Sequence, residues 1–381
     1  MWTQTDSLHA AREDEGYGTA TPAVFATFAH RMSNPILTRL EALLPAMQGR
    51  AAALDMAATF PADDIVDLRD AGVLSAPVPA RLGGAGIGTA PEQAAAALDL
   101  FRLLGRGNLA LGRLVEAHVN ALRLVFRYGD AATCQRAADD AQAGHLCGLW
   151  VTDPPCSGLA AGPAGTLSGA KQFCSGAGHV TRAVVTAEEG GATRLAYVAL
   201  GDGVSVRPLP GGLAGMRAAT TGQVGFDAVP ASLFGQPGDY LREPDFSCGA
   251  WRTSAATLGG LEALTGQFRA QLVGRGREGD PHQQARFGHA LMATETARLW
   301  MAEAAIRAET TDDAIAYVGL ARLAVERACL EVIELVQRSL GVAAMLRSNP
   351  VERICRDLAT YLRQPAADMV LTEAAEAALR Q

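Results

Sequence analysis

The sequence has no Cys-x-x-Cys pair, no histidine cluster at metal-ligand spacing and no uninterrupted apolar run that would span a bilayer. Each absence removes a class of protein. The seven cysteines, Cys134, Cys147, Cys156, Cys174, Cys248, Cys329 and Cys355, are scattered and odd in number. In a long chain with a large core, that pattern argues for reduced thiols rather than a disulfide framework. Without zinc spacing among the histidines, no metal is expected. The most apolar stretch, Leu109 to Phe126, is interrupted by Arg113, Glu116 and Arg123, which excludes a membrane span. Positive charge is in deficit, with 33 Lys and Arg against 40 Asp and Glu. The basic residues are dispersed, so no nucleic-acid face is expected. The opening MWTQTDSLHAAREDEGYG is polar and acidic, unlike a secretory signal, and a cytoplasmic setting is expected.

What is present is length and apolar content. With 381 residues, 49% of them hydrophobic, two or three packed layers are expected. From about Pro35 to Asp140 the apolar period is helical. Leu37, Leu40, Leu44 and Met47 form one stripe, and Leu111, Leu114, Val115, Leu122, Val125 and Phe126 form another. Arg113, Glu116, Asn120, Arg123 and Arg127 fall on the opposite side of the second stripe and read as its wet face. A short helix is punctuated by Pro61 at its start, Asp63 and Asp64 in its first turn, and Gly72 at its end.

Near Leu146 the period changes. Leu146–Thr152, Thr166–Cys174, Val180–Ala187, Arg194–Leu200, Val204–Leu209 and Gln223–Val229 read as short antiparallel strands of a barrel or sandwich. From Ser247 onward the pattern is helical again, with a break at Gly274–Pro281 and a long stripe from Ile315 to Leu340. The fold class is therefore mainly α with a β-insert. An irregular tail (1–22) precedes an N-terminal helical domain (23–145), a middle antiparallel β-barrel or sandwich (146–240) and a C-terminal four-helix bundle (241–381). GGAGIG (83–88) lacks the preceding strand of a dinucleotide turn and reads as a surface loop. His118 lies on an apolar stripe and reads as a hydrogen-bonded core histidine, and Arg356-Asp357 as a structural ion pair.

Five strings in order carry a resemblance: FPADDIVDLRDAGVLSAPVPARLGGAGIG (60–88), LCGLWVTDPP (146–155), LSGAKQFCSGAGHVTRAVVTA (167–187), GMRAATTGQVGFDAVPASLFG (215–235) and NPVERICRD (349–357). Together they resemble the acyl-CoA dehydrogenase superfamily. The resemblance implies a flavin oxidoreductase acting on CH–CH groups, with FAD between the β-domain and the bundle. It implies cofactor contacts at Trp150, Thr152, Phe173 and Ser175, and at Arg275, Gln283, Gln337 and Gly341 for the FAD tail. Ser157 and Gly158 would face substrate, an acyl thioester on CoA or a carrier protein. The long C-terminal helices imply a homodimer, or a homotetramer, with no nucleic-acid or membrane partner.

The departures are as informative. The family's catalytic glutamate position falls on Pro365, and its alternative on the first bundle helix falls near Trp251. A proton abstraction needs a carboxylate at the flavin, and Asp368, three residues past the lost position, is the candidate. His282 and His289 are further groups in the bundle. The Gly-Gly element near the FAD tail is reduced to VQRSLGVAA, where a side chain replaces the first glycine and would obstruct backbone approach to a pyrophosphate. Three readings follow: an acyl-CoA dehydrogenase-like enzyme with a relocated base, a reduced-flavin monooxygenase that needs no such base, and a non-catalytic binding or assembly relative that has lost FAD.

Overall fold

Residues 34–380 are described by the computed structural model, so the expected tail over 1–22 lies outside the described residues. Helix α1 (Pro35–Ala57) buries Leu40, Leu44, Met47 and Ala51 at the three- and four-residue spacing of its apolar stripe. Helix α2 (Ala62–Asp70) follows Pro61, and Gly72 adopts φ 79° just beyond its end. Asp64 is not a solvated first-turn carboxylate, because it is buried against α1 and takes Arg50 Nε at 2.7 Å. Two longer helices, α3 (Ala94–Gly107) and α4 (Leu109–Tyr128), part at Asn108, whose side chain caps Ala110 N at 3.1 Å. Asp130 caps α5 (Ala131–Gln142) in the same way, accepting from Thr133 N at 2.7 Å.

The loop at 83–88 is not a surface loop. Gly86, Ile87 and Gly88 are buried, and a Cβ on Gly84 would lie 2.0 Å from the Val78 carbonyl oxygen. Its glycines serve close backbone packing.

Seven strands follow: β1 (Cys147–Trp150), β2 (Ala160–Ala161), β3 (Thr166–Cys174), β4 (Arg182–Glu189), β5 (Ala192–Ala199), β6 (Val204–Pro208) and β7 (Gly222–Phe234). The pairings β4–β2–β3–β7–β5 return to β4 and close a ring, with β1 added on β4 and β6 on β7. A closed ring removes exposed strand edges. The expected all-antiparallel pairing is corrected at two places: β1 and β2 each run parallel to β4. The chain leaves β1 and passes through β2 and β3 before it returns, so β4 lies alongside β1 in the same sense.

The C-terminal part holds α6 (Asp245–Cys248), α7 (Ala250–Gly274), α8 (Pro281–Thr310), α9 (Ile315–Leu340), α10 (Pro350–Tyr361) and α11 (Ala367–Leu379). The expected break falls between α7 and α8, where Asp280 caps His282 N at 2.9 Å and Pro281 opens the helix. Val318, Val325, Cys329, Val332, Val336 and Leu340 of α9 are buried. Helix α7 packs directly on α3. A Cβ on Gly105 would lie 1.9 Å from the Ala256 carbonyl oxygen, and one on Gly259 would lie 2.0 Å from that of Arg102. The two backbones meet because glycine stands at the crossing. Arg356 and Asp357 do make structural pairs, but not with each other: Arg356 holds Asp55 at 2.7 Å, and Asp357 holds Arg353 at 3.3 Å.

Candidate active site

The ends of β1 and β3 bring Trp150, Thr152, Phe173 and Ser175 together, while Ser157 and Gly158 lie further along, beside Gly169 of β3. Trp150, 2% exposed, closes β1 and donates its indole N–H to the Ser175 carbonyl at 3.0 Å. Its ring therefore sits beneath the strands. Thr152 is exposed in the segment after β1, and its carbonyl accepts from Gln172 N at 2.9 Å. Ser157 and Gly158 are also exposed. Their segment is drawn back over the strand, since Leu159 N donates to Asp153 at 3.2 Å and Gly169 has no room for a Cβ beside the Gly158 carbonyl.

Phe173 is the most unusual residue here. It is 52% exposed and has φ 56°, where the β3–β7 register shifts between Lys171 and Cys174. Left-handed backbone at a bulky residue costs ~1–3 kcal/mol and clusters at functional positions. A bulge re-aims a side chain out of strand alternation. Ser175 follows, buried at the strand end.

Sequence reasoning missed the residue that fixes this segment. Lys171, the only lysine in the chain, is 1% exposed. Its Nζ donates to Asp153 at 2.6 Å, Thr186 Oγ1 at 2.9 Å and the Val151 carbonyl at 3.3 Å. Burial holds its ammonium below the usual lysine range, with Asp153 opposing. These bonds tie β3, β4 and the chain on either side of Thr152.

The expected wet face of α4 is largely covered by α7 and the end of α8: Glu116 is buried, Arg113, Asn120 and Arg123 are half-buried, and Arg127 stays exposed. Glu116, 2% exposed, accepts from Arg113, Asn120 and Thr253 Oγ1. Arg252, 5% exposed, donates to Asn120 and to Glu309. Glu309 also meets Arg123 at 2.8 Å, and Asp245 meets Arg127 at 2.5 Å. Burial, with Arg123 beside it, draws Arg252 down to about 10, against the pull of Glu309. Burial would also lower Arg113, but Glu116 outweighs it and the guanidinium is held above its ordinary value. Tyr361 lies next to this network, with its hydroxyl buried and without a hydrogen-bond partner. Its proton is held well above the tyrosine range by burial and by Glu116. The helical spacing of these charges is legible in the sequence, but not the helices that cover them. His118 is the expected core histidine: Nδ1 accepts from Cys147 N at 3.0 Å and Nε2 faces the Leu74 carbonyl at 2.8 Å.

Neither base position of the resemblance holds a carboxylate. The Pro365 carbonyl accepts from Arg322 at 2.7 Å. Trp251 is 1% exposed, and its indole donates to Glu309 at 3.2 Å. Asp368 is exposed in the first turn of α11, a helix that packs on α9.

The four tail residues lie on α7–α9 and the turns that end them, separate from β1 and β3. Arg275 caps α7 and donates to Gln271 at 3.1 Å; Gln271 in turn bonds Asn349, which reaches the Ala343 carbonyl. Gly341 ends α9 at φ 62°, ψ −145°, a conformation open to glycine, and a Cβ there would meet nothing within 4 Å. Gln337 lies half-buried one turn before it. Gln283, 5% exposed on α8, has a buried Oε1 without a partner.

The order of helices, closed β-unit and helical bundle defines an acyl-CoA dehydrogenase-type fold. Residues 254–364 match the family described as acyl-CoA dehydrogenase, C-terminal domain. Butyryl-CoA dehydrogenase from Megasphaera elsdenii superposes with a TM-score of 0.77 at 16% identity, covering 91% of this chain and 99% of that one. FMN-bound TdsC from Paenibacillus sp. A11-2 gives 0.80 at 18% identity, over 91% and 98%. KijD3, in complex with FMN and a dTDP-linked amino-keto sugar, gives 0.73 at 24% identity, over 91% and 93%. No curated protein matches the sequence. Over residues 254–364 the chain matches the acyl-CoA dehydrogenase C-terminal family, and beyond that stretch it shares the fold of these solved structures.

Proposed function

We propose that the chain is a flavin-dependent oxidoreductase that oxygenates a small organic substrate, using reduced flavin and dioxygen. The observation that carries this reading is a presented aromatic wall without an accompanying base. Phe173 is turned outward at positive φ beside Thr152 and Ser175, while Pro365 and Trp251 stand where the resemblance would put a carboxylate. The β1–β3 residues fit an isoalloxazine ring, offering an aromatic surface, two hydroxyls and a rigidly tied backbone. Bound reduced flavin would supply two electrons to dioxygen, one oxygen atom going to the substrate and the other leaving as water. Phe173 would cover the ring and exclude water, and Thr152 and Ser175 would orient its polar edge. Lys171 would hold Thr152 in place through Val151 and Asp153. Ser157 and Gly158 would border the substrate.

The FMN present in TdsC and KijD3 supports testing FMN beside FAD. Anaerobic titration with each reduced flavin, followed by admission of oxygen, tests the reading. If neither the oxidised nor the reduced form of either flavin binds, it fails.

Dehydrogenation of an acyl thioester is the second reading, supported by the family match at 254–364 and the fold shared with butyryl-CoA dehydrogenase. Asp368 would be its base. Bleaching of bound flavin by an acyl-CoA panel would support it, and equal bleaching in Asp368→Asn would remove Asp368 from the role. In either case a homodimer or homotetramer is proposed, with Arg275, Gln283, Gln337 and Gly341 reaching the flavin tail of a second copy. Exposed Met292, Leu299 and Ile306 at seven-residue spacing on α8 offer an apolar face for that association. Light scattering that shows a dilute monomer would refute it.

A further inference from the structure

Helix α5 lies across one face of the β-unit, by the opposite ends of β1 and β4 from Thr152. Arg182 opens β4 and pairs with Cys147, the first residue of β1. On that face Arg182 also stands in register with Ala199 of β5, and Tyr197 of β5 with Ser232 of β7. Residues two apart share a strand face, so Tyr197 and Ala199 lie together, as do Ser232 and Pro230. Between these strands and α5 runs a cleft of about 390 Å3 with an apolar floor of Ala199, Pro230 and Ala231. Four charged residues line it: Arg136, Asp139 and Asp140 from α5, and Arg182 from β4.

Two of the four charges cancel. Arg182 donates from Nε and from a terminal amino group to the two Asp140 oxygens, each at 2.7 Å, and the Tyr197 hydroxyl adds a third bond at 2.8 Å. Burial would raise Asp140, but Arg182 and Tyr197 outweigh it and hold the carboxyl below its ordinary value. This pair ties α5 to β4 and β5. Arg136 and Asp139 stay free. Three apart on a helix, they are neighbours that would ordinarily attract one another, yet neither joins an ion pair among the described residues. Both are exposed. Arg136 turns instead to the sheet, donating to Ser232 Oγ at 2.8 Å and to Thr133 Oγ1 at 3.4 Å. Asp130 feels its charge without pairing with it. Asp139 accepts from Gln135 Nε2 at 2.8 Å, which uses one of its two oxygens.

We infer that this cleft binds a small zwitterion, an α-amino acid with an apolar side chain. Its carboxylate takes the outward N–H groups of Arg136 and the Ser232 hydroxyl, its ammonium group lies on Asp139, and its side chain covers Ala199, Pro230 and Ala231. Opposite charges about one helical turn apart, roughly 5 Å along the axis, suit the neighbouring ammonium and carboxylate of an amino acid. A planar guanidinium beside a hydroxyl suits a carboxylate, and the volume falls in the range of small-molecule sites. The cleft is separate from the β1–β3 end, so the inference does not rest on the flavin reading.

The test is equilibrium dialysis of the full chain with L-leucine, followed by competition with isocaproate, which lacks the ammonium group, and isoamylamine, which lacks the carboxylate. L-leucine is expected to bind, isocaproate to compete more weakly, and isoamylamine not to compete. Arg136→Met should weaken leucine binding about 10-fold, the scale of a charge-assisted hydrogen bond. Asp139→Asn should weaken it about 3-fold, the scale of an exposed ion pair, and leave isocaproate unchanged. Arg207→Met, on β6 outside the cleft, should change neither. No leucine binding to wild type, equal affinity in wild type and both cleft variants, or competition by isoamylamine as strong as by leucine overturns the inference. Asp139 is exposed at the rim, so its variant decides the question should Arg136→Met fail to fold.

Discussion

Phe173 combines an exposed aromatic ring with a left-handed backbone at a strand bulge, and the proposed cofactor site depends on that combination. Phe173→Ala should weaken flavin binding about 10-fold, the scale of one aromatic stacking contact. Phe173→Trp should retain it, as followed by quenching of flavin fluorescence. His118 gives a second prediction at this scale. Complete burial lowers its imidazole to about 4, against the Leu74 hydrogen bond, while the unfolded chain titrates near 6.5. Between these values the unfolded state binds more protons, so this contribution is full above pH ~6.5 and is lost as pH falls toward ~4. Asp357 acts in the opposite sense. Burial raises it to about 6, so in part of the same window the folded state binds the extra proton. The difference between wild type and His118→Gln isolates the histidine. Relative to the variant, wild type should lose roughly 2–3 kcal/mol from pH 7 to 4.5 in denaturant titrations, using ~1.36 kcal/mol per pKa unit.

Among the elements, the α3–α7 crossing is the tightest contact with a simple chemical cause. Gly259→Ala would drive a methyl group into the Arg102 carbonyl and should cost about 3 kcal/mol or more. Gly266→Ala, on the same helix with open space around it, should stabilise by about 0.5–1 kcal/mol. Thermal melts of the pair separate packing from propensity. Elements are legible where the sequence carries their period and punctuation: β3 keeps the expected limits Thr166 and Cys174, and the α7–α8 break falls between Gly274 and Pro281. The two-residue β2 has no period to read, and the parallel β1–β4 pairing has no helical crossover to announce it. The charges of α4 are plain in the sequence, but their exposure depends on which helices lie over them. In the same way Phe173 and Ser175 can be placed from a local string, whereas the role of Lys171 needs Asp153 and Thr186 folded against it.

For the molecule as a whole, the Glu116–Arg252–Glu309 network joins the first helical part to the bundle, through α4, α7 and α8. Glu309→Gln would leave Arg123 and Arg252 undercompensated in a buried setting and should cost about 3 kcal/mol. Its effect should appear as one cooperative loss of stability in chemical denaturation, since the network ties both parts of the molecule. None of the described helices is long and apolar enough to cross a membrane. The central claim is that the β1–β3 end of the fold holds a flavin, and the most direct measurement is a visible absorption spectrum taken after adding FMN or FAD and removing the excess. A flavin band retained by wild type and diminished in Phe173→Ala is the predicted result. A protein that stays colourless with both flavins would contradict it.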